Sequence, residues 1–235
     1  RDCTLVELDG QVVAYGRASW AELANGDAQV ECILNIRPGA RGRGVEELLA
    51  DHAMRRAREL AADPALARGR PATLVAFVSG RDEVQRSVLT GLGFLITGHG
   101  AQLIRPDLAS IPELPLPVGL EVRPIDPADR VMHRRVYDAA ARAFADSPGE
   151  EQPTEAKFDE FVNDPRFAPA LWRVAFDGNR IAGQILNYLG DLEADGTRIG
   201  WTEGITVQPE YRRRGLARAL LARSLRVVRA AGATC

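Results

Sequence analysis

A strand-like run, a turn rich in arginine and glycine, and an amphipathic helix follow one another twice in this chain. The second copy reads VQPEYRRRGLARALLARSL (residues 207–225), and the first reads NIRPGARGRGVEELLADHAM (residues 35–54). The arginines of the two turns, Arg41 and Arg212, are 171 residues apart. This spacing suits two copies of one α/β domain joined by a linker.

The pattern of apolar residues predicts that both halves contain a hairpin, a third strand, the arginine and glycine turn, and a long helix. In the first half it predicts a hairpin around Asp9-Gly10, two further strands, two helices and a final extended segment, at residues 4–8, 12–20, 29–36, 44–62, 72–78, 81–89 and 94–104. In the second half it predicts four strands, at residues 120–123, 171–176, 181–189 and 200–207, and three helices, at residues 127–144, 154–162 and 214–230. The chain is therefore predicted to be an α/β protein in the broad sense, and of the α+β type in particular.

A proline-rich stretch separates the halves. RPDLASIPELPLPVG (residues 105–119) holds four prolines, which exclude a helix or a central strand. It predicts a stiff, extended linker at residues 106–118, between domains at residues 1–105 and 119–235.

Composition excludes several classes of function. The net charge of −2 argues against general nucleic-acid binding, and no apolar run is long enough for a membrane span. The cysteines Cys3, Cys32 and Cys235 are too far apart for a disulfide framework or a metal site, so we expect a cytoplasmic protein without bound metal. Lys157 is the only lysine, so arginine by itself indicates little.

The second turn has the features of an anion site. The start of a helix presents unpaired backbone N–H groups and the positive end of its dipole, and phosphates bind there. Gly215 lets the chain approach a ligand, Ala217 leaves room, and the arginines add charge. The alternative is a surface helix with a basic start, but cations are favoured at the other end of a helix. The predicted binding residues are Arg212, Arg213, Arg214, Gly215, Leu216 and Ala217.

The strand, the pattern V-x-P-x-Y-R-x-R-G-L-A and the amphipathic helix resemble motif A of the GNAT superfamily, the Gcn5-related N-acetyltransferases. Its signature is Gln/Arg-x-x-Gly-x-Gly/Ala, which Arg212, Gly215 and Ala217 fit at every fixed position; Arg41-x-x-Gly44 fits in part. The resemblance covers essentially the whole chain as two tandem domains, as in mycothiol-synthase-like acetyltransferases. It implies that each domain is a mixed, mostly antiparallel twisted sheet flanked by helices.

The resemblance implies acetyl-CoA as cosubstrate. The diphosphate would rest on the backbone N–H groups of residues 212–217, and the pantetheine arm would lie along the strand through Ile205, Thr206 and Val207. A backbone N–H near Val207 would polarise the thioester carbonyl. An amine would then attack directly, with help from a general base.

Glu203 is the candidate base, because a Glu on this strand often has that role in the family. Strict alternation places Trp201, Glu203 and Ile205 on one face, although a bulge would change the count. Thr202 is the alternative hydroxyl. Glu203 can also be interpreted as a partly solvated strand carboxylate without a catalytic role.

Aligning the two arginine turns suggests that the first copy is degenerate. Ala217 then corresponds to Glu46, whose carboxylate would repel a diphosphate and fill its space. Glu203 corresponds to Cys32, and Leu89 stands where the family has an acid tyrosine. We expect the first domain to pack against the working one or to shape its acceptor cleft.

Both domains look incomplete when compared with the family. The first begins just before its hairpin, and the second ends at Cys235, before the segment that would carry its own acid tyrosine. Residues 139–162 correspond to the acceptor region, where a group of acidic residues would attract a cationic amine or form a solvated loop: Asp146, Glu150, Glu151 and Glu155.

The sequence therefore predicts an acetyl-CoA-dependent N-acetyltransferase acting on a small-molecule amine through its C-terminal domain. A protein or peptide amine is the nearest alternative acceptor. A different class is a CoA-binding sensor or scaffold without catalysis, and a third is a structural pair that binds no CoA. No nucleic acid or membrane is expected as a partner, and a homodimer is left open.

Overall fold

The computed structural model describes residues 3–145, 147 and 151–235. The chain divides into two compact units, Arg1–Gly100 and Ala101–Cys235. Each unit contains one four-stranded sheet.

The first unit holds four strands and three helices. In chain order they are β1 (Cys3–Leu8), β2 (Gln11–Glu22), β3 (Ala28–Ile36), α1 (Val45–Ala62), α2 (Pro64–Ala67), β4 (Ala72–Ala76) and α3 (Glu83–Gly91). The sheet order is β1-β2-β3-β4; the first three strands are antiparallel, and β4 runs parallel to β3. Helix α1 makes the crossover that this parallel pair requires.

Local sequence explains the main features of this unit. Asp9 and Gly10 both have positive φ angles, 51° and 74°, as expected for the tight turn of the predicted hairpin. Helix α1 buries Val45 and Leu49 in the same core as Val30 of β3. Hydrophobic burial of this kind is the main stabilising contribution in such a layer.

The second unit also combines a four-stranded sheet with helices, but its elements follow a different order along the chain. Its elements are β5 (Glu121–Arg123), α4 (Arg130–Phe144), α5 (Glu155–Val162), β6 (Arg173–Asp177), β7 (Arg180–Leu192), β8 (Arg198–Val207) and α6 (Leu216–Ala230). The sheet order is β5-β6-β7-β8, and all three pairings are antiparallel. After β8, the backbone of Thr234 and Cys235 hydrogen-bonds to Arg198 and Gly200, so the final residues lie beside the start of that strand.

Two hydrophobic clusters sandwich this sheet. Helix α6 packs Leu216 and Leu220 against Ile185 of β7. Helix α4 packs Val136 against Val174 and Trp172, beside an aromatic group that includes Phe161 and Phe167. Because successive strand residues point to opposite faces, the apolar strands β6 and β7 supply both layers.

Gly200 of β8 lies close against Val228 of α6. A Cβ added there would lie 2.7 Å from Val228 Cγ2 and 3.0 Å from Ala233 Cβ. We expect Gly200→Ala to lower the free energy of unfolding by about 1–3 kcal/mol, because the helix must move away from the strand. Thermal denaturation measures this effect, and Gly98→Ala is the control, because Gly98 lies outside the left-handed region and a Cβ added there meets no neighbour within 4 Å.

The proline-rich stretch differs from the prediction. It forms no regular structure, as expected, but it is not a free spacer. Leu108 is buried with Val228 and Ala233, and the guanidinium groups of Arg229 and Arg226 donate to the carbonyl oxygens of Leu108 and Pro112, at 3.0 and 2.8 Å. The stretch packs on α6 within the second unit, and the division between units lies at Gly100, before the predicted linker.

Residues 94–104 also differ. They form no strand in the structure, and Leu95, Ile96, Leu103 and Ile104 are exposed. Their apolar pattern is typical of strands, but a strand requires a paired neighbour, and the described residues of the first unit supply none here.

Candidate active site

The turn between β8 and α6 is held in a shape that presents backbone N–H groups. A short 3₁₀ turn, Pro209–Tyr211, follows the strand, and the buried Tyr211 donates a hydrogen bond from its hydroxyl to Asp177 Oδ2 at 2.8 Å. Arg213 and Gly215 then have positive φ angles of 63° and 84°. Gly215 is the N-cap residue of α6, and no described side chain caps this helix start. The unpaired N–H groups of the first helical turn are therefore available to a ligand.

The three arginines of the turn have different environments. The Nε of Arg212 donates to the Val207 carbonyl at 3.2 Å, and its Nη2 donates to the Ala143 carbonyl at 2.9 Å. This guanidinium joins the end of β8 to the last turn of α4, where carbonyl groups lack helical partners. Arg213 and Arg214 are exposed, and the Arg214 guanidinium lies 5.5 Å from the centroid of the Tyr211 ring.

Strand β8 contains a bulge just before the turn. Thr206 pairs with Gln184 and Glu203 pairs with Leu186, so β8 uses one more residue than β7 between these pairs. Gly204 lies in the bulge with a φ of 55°. A bulge disrupts the ladder locally and leaves backbone groups outside the regular pairing.

The bulge corrects the predicted alternation. Gln184, Leu186 and Tyr188 are alternate residues of β7 and share one face, and their β8 partners are Thr206, Glu203 and Trp201. Trp201, Glu203 and Thr206 therefore lie on one face. Ile205 does not, because the extra residue moves it to the other side.

Thr202 lies on the face opposite Glu203. Its partner is Asn187, whose side-chain amide donates to Ser224 Oγ of α6 at 3.1 Å. Glu203 and Thr202 are neighbours in the sequence, but their side chains lie on opposite faces of the sheet. Thr202 faces the layer formed by α6.

Glu203 lies in a polar and aromatic group that the sequence did not reveal. Its side chain is exposed, and the Tyr188 hydroxyl donates to Glu203 Oε1 at 2.8 Å. The Tyr188 ring is stacked parallel to Trp201, with centroids 6.1 Å apart. The Arg166 guanidinium lies 5.3 Å from the centroid of the Tyr188 ring. The only signal in the sequence was that Tyr188 and Glu203 lie on neighbouring predicted strands, and pairing them required the register that the bulge sets.

The domain that contains these residues matches a known family. Residues 122–235 match the family model described as an acetyltransferase (GNAT) domain. The C-terminal half of the chain is a GNAT domain. The family consists of acetyltransferases that use acetyl-CoA, and the expected resemblance is confirmed.

Relatives of known name extend the similarity beyond this domain. Proteins named mycothiol acetyltransferase from Geodermatophilus obscurus and Clavibacter michiganensis subsp. michiganensis are each 29% identical, over 231 and 218 residues. The matches cover 94% and 90% of this chain, and 67% and 64% of the relatives. The chain therefore spans about two thirds of the length of these relatives.

A solved structure is similar over nearly the whole chain. The GCN5-related N-acetyltransferase from Sphaerobacter thermophilus has a TM-score of 0.67 and 21% identity; the match covers 99% of this chain and 69% of that one. The fold similarity therefore includes both units, and the predicted fold class is confirmed.

The first unit has a turn of similar backbone geometry to that of the GNAT domain, but a buried glutamate side chain occupies it. Gly42 and Gly44 have φ angles of 69° and 83°, close to those of Arg213 and Gly215. The buried Glu46, in the position of Ala217, accepts a hydrogen bond on Oε1 from the Gly42 N–H at 3.0 Å. Its Oε2 is buried with no hydrogen-bond partner. Arg41 forms an ion pair with the buried Asp82 at 3.2 Å. An internal carboxylate thus occupies the place where the turn would receive an anion.

The bulge also corrects the alignment of the two strands. The register of β2 with β3 is continuous from Ala14↔Ile36 to Glu22↔Ala28, so β3 has no bulge. Matching the strands from their C-terminal ends pairs Glu203 with Ile33, and Thr202 rather than Glu203 with Cys32. Burial, and to a lesser extent the charge of Glu31, raises the pKa of Cys32 to about 11, so its thiol stays protonated.

Two of the four acidic residues predicted for the acceptor region form ion pairs within the domain. Glu151 pairs with Lys157 at 2.9 Å, and Glu155 pairs with Arg134. These ion pairs favour the solvated-loop alternative for both residues. Asp146 and Glu150 lie outside the described residues.

Among the described residues there is neither a candidate metal site nor a helix that could span a membrane. Within the part of the chain that the structure describes, no group of three His, Cys, Asp or Glu side chains is arranged to hold a metal ion. No described helix has the length and apolar character needed to cross a membrane.

Proposed function

We propose that the GNAT domain transfers the acetyl group of acetyl-CoA to the primary amine of a small molecule. We also propose that it is the working copy and that the first unit, Arg1–Gly100, holds a degenerate copy. One observation carries this proposal: the turn at residues 212–217 has an open helix start with Ala217, whereas Glu46 fills the matching turn of the first unit.

Each part of acetyl-CoA has a proposed place along the backbone of the turn and of β8. The N–H groups around Arg213, Gly215 and Leu216 receive the diphosphate, favoured by the helix dipole, with charge from Arg213 and Arg214. Beyond Gly200, the outer edge of β8 has no strand partner among the described residues. The pantetheine arm therefore lies along Val207, Thr206 and Ile205, and hydrogen-bonds to this edge as an added strand does.

The bulge supplies the electrostatic part of catalysis. Backbone N–H groups released from the ladder near Ile205 and Val207 donate to the thioester oxygen as negative charge develops on it. The amine nitrogen forms a bond to the carbonyl carbon, Glu203 takes the proton, and the carbon–sulfur bond breaks to release CoA thiolate, which is then protonated. Exposed Glu203 is accessible to an acceptor that approaches this face.

The acceptor is proposed as a small-molecule amine. Two relatives bear the name mycothiol acetyltransferase, so amines of the mycothiol type belong first in a substrate panel. Protein N-termini belong in the same panel, because an exposed carboxylate does not exclude a peptide amine. A CoA-binding sensor without catalysis is the alternative of another class; it predicts tight binding with no acetyl transfer to any amine.

Calorimetric titration of the full-length protein with acetyl-CoA tests the proposal. We expect one site per chain, since the carboxylate of Glu46 repels a diphosphate from the first turn. Two sites would contradict the assignment of a single working copy, and the absence of binding would contradict the cofactor proposal itself.

A further inference from the structure

Tyr188 is placed to act on Glu203 rather than on a ligand directly. The two residues are on neighbouring strands and on one face of the sheet, because the bulge in β8 sets Glu203 opposite Leu186 and Trp201 opposite Tyr188. The Tyr188 hydroxyl donates to Glu203 Oε1 at 2.8 Å. Stacking on Trp201 at an interplanar angle of 10° restricts the tyrosine ring.

Arg166 fixes the direction of this hydrogen bond. Its Nη1 lies 3.5 Å from the Tyr188 hydroxyl, and its guanidinium stands over the ring. Arginine has donors and no acceptor, so the hydroxyl hydrogen is directed away from Arg166 and toward the carboxylate. Asp164 holds Arg166 through two side-chain contacts, Nε to Oδ1 at 2.9 Å and Nη2 to Oδ2 at 2.7 Å.

Tyr188 and Asp164 each keep one protonation state near neutral pH. Burial, and then the hydrogen bond to Glu203, raises the pKa of Tyr188 above its usual value, so the hydroxyl remains a donor at neutral pH. The hydrogen bonds from Arg166 lower the pKa of Asp164 to about 2. At neutral pH Asp164 therefore stays ionised and Tyr188 stays protonated, so Arg166 remains held and the Tyr188 hydroxyl remains a donor.

We propose that Tyr188, supported by Arg166, is a positioning residue that holds the Glu203 carboxylate for proton abstraction. An exposed glutamate samples several rotamers, and fixing one of them raises the fraction of molecules that are ready to react. The hydrogen bond occupies Oε1, so Oε2 is the oxygen presented to the acceptor amine. This inference rests on the proposed role of Glu203 as the base.

A double-mutant cycle tests the inference. The variants Tyr188→Phe, Glu203→Gln and the double variant are compared in the full-length protein by release of CoA thiol, with the best amine of the substrate panel or, if no amine reacts, with water as acceptor. We expect Tyr188→Phe to lower kcat about tenfold and to leave the KM for acetyl-CoA within about twofold. In the Glu203→Gln background, Tyr188→Phe has no further effect, because the residue acts only through the carboxylate.

The outcomes separate the inference from the proposed function. If Glu203→Gln lowers kcat but Tyr188→Phe does not, or if the two losses multiply in the double variant, the positioning role is overturned and the base remains. If Glu203→Gln has no effect, both are overturned. Tyr137→Phe is a matched control, because Tyr137 is a half-buried tyrosine of the same domain that packs on Phe158 and Phe161; it is expected to leave kcat unchanged.

Ultraviolet titration of tyrosinate gives a readout that needs no acceptor. The transition that disappears in Tyr188→Phe belongs to Tyr188. Because the Glu203 carboxylate raises the pKa of this group, we expect the transition to move to lower pH in Glu203→Gln. An unchanged transition would show that the hydrogen bond is absent in solution and would overturn the inference.

Discussion

An Ala217→Glu variant is expected to bind acetyl-CoA at least about 100-fold more weakly than the unaltered protein. The first unit shows the physical reason, because Glu46 in the matching position accepts a hydrogen bond from the turn at 3.0 Å. A carboxylate about 4 Å from a diphosphate oxygen is repelled by about 4 kcal/mol at the effective dielectric constant of a protein surface. A loss of about 3 kcal/mol corresponds to roughly 100-fold in affinity.

The matched control is Ala217→Gln, which has the same size but no charge. We expect it to weaken binding by a smaller factor, about tenfold, because it only fills space. Calorimetry measures both affinities, and thermal denaturation should show no loss of stability in Ala217→Glu, since an acidic residue is favoured in the first turn of a helix. Retained binding in Ala217→Glu would show that the diphosphate does not sit on this turn.

A Glu203→Gln variant is expected to lower kcat by about 10²–10⁴-fold, the usual contribution of a general base. Glutamine keeps the shape and accepts the hydrogen bond from Tyr188, but it cannot take a proton. Affinity for acetyl-CoA should change by less than about twofold, because Glu203 is not in the turn that receives the diphosphate. Steady-state kinetics with the best amine of the panel and calorimetry measure the two quantities separately.

Glu193→Gln is the control for this substitution. Glu193 is an exposed glutamate in the connection between β7 and β8, away from the bulge, and its replacement should leave kcat unchanged. Equal activity of Glu203→Gln and the unaltered protein would remove Glu203 as the base.

Local sequence rules predicted most of the fold. Asp9-Gly10 predicted the first hairpin, the periodicity of residues 214–230 predicted α6, and the repeated arginine turn predicted two similar units. These features depend on neighbours in sequence, so one sequence suffices to find them. The proline-rich stretch was different, because the burial of Leu108 against Val228 depends on a contact between residues far apart in the chain.

The site was predictable in part for the same reason. The turn was found because helix starts have local signals. Tyr188 and Arg166 were missed because their relation to Glu203 depends on strand register, and Gly204 changes that register by one residue. Counting back from Arg212 gave Cys32 as the equivalent of Glu203, whereas pairing in the sheet gives Ile33.

The docked proline-rich stretch determines where the chain can be cut. A fragment that begins at residue 119, after the prolines, discards Leu108 and uncovers Val228 and Ala233 on α6. It also leaves the guanidinium groups of Arg226 and Arg229 without the carbonyl acceptors that they have in the intact chain. A fragment that begins at residue 101 retains all of these contacts, and the same contacts shield the proline-rich stretch from proteases.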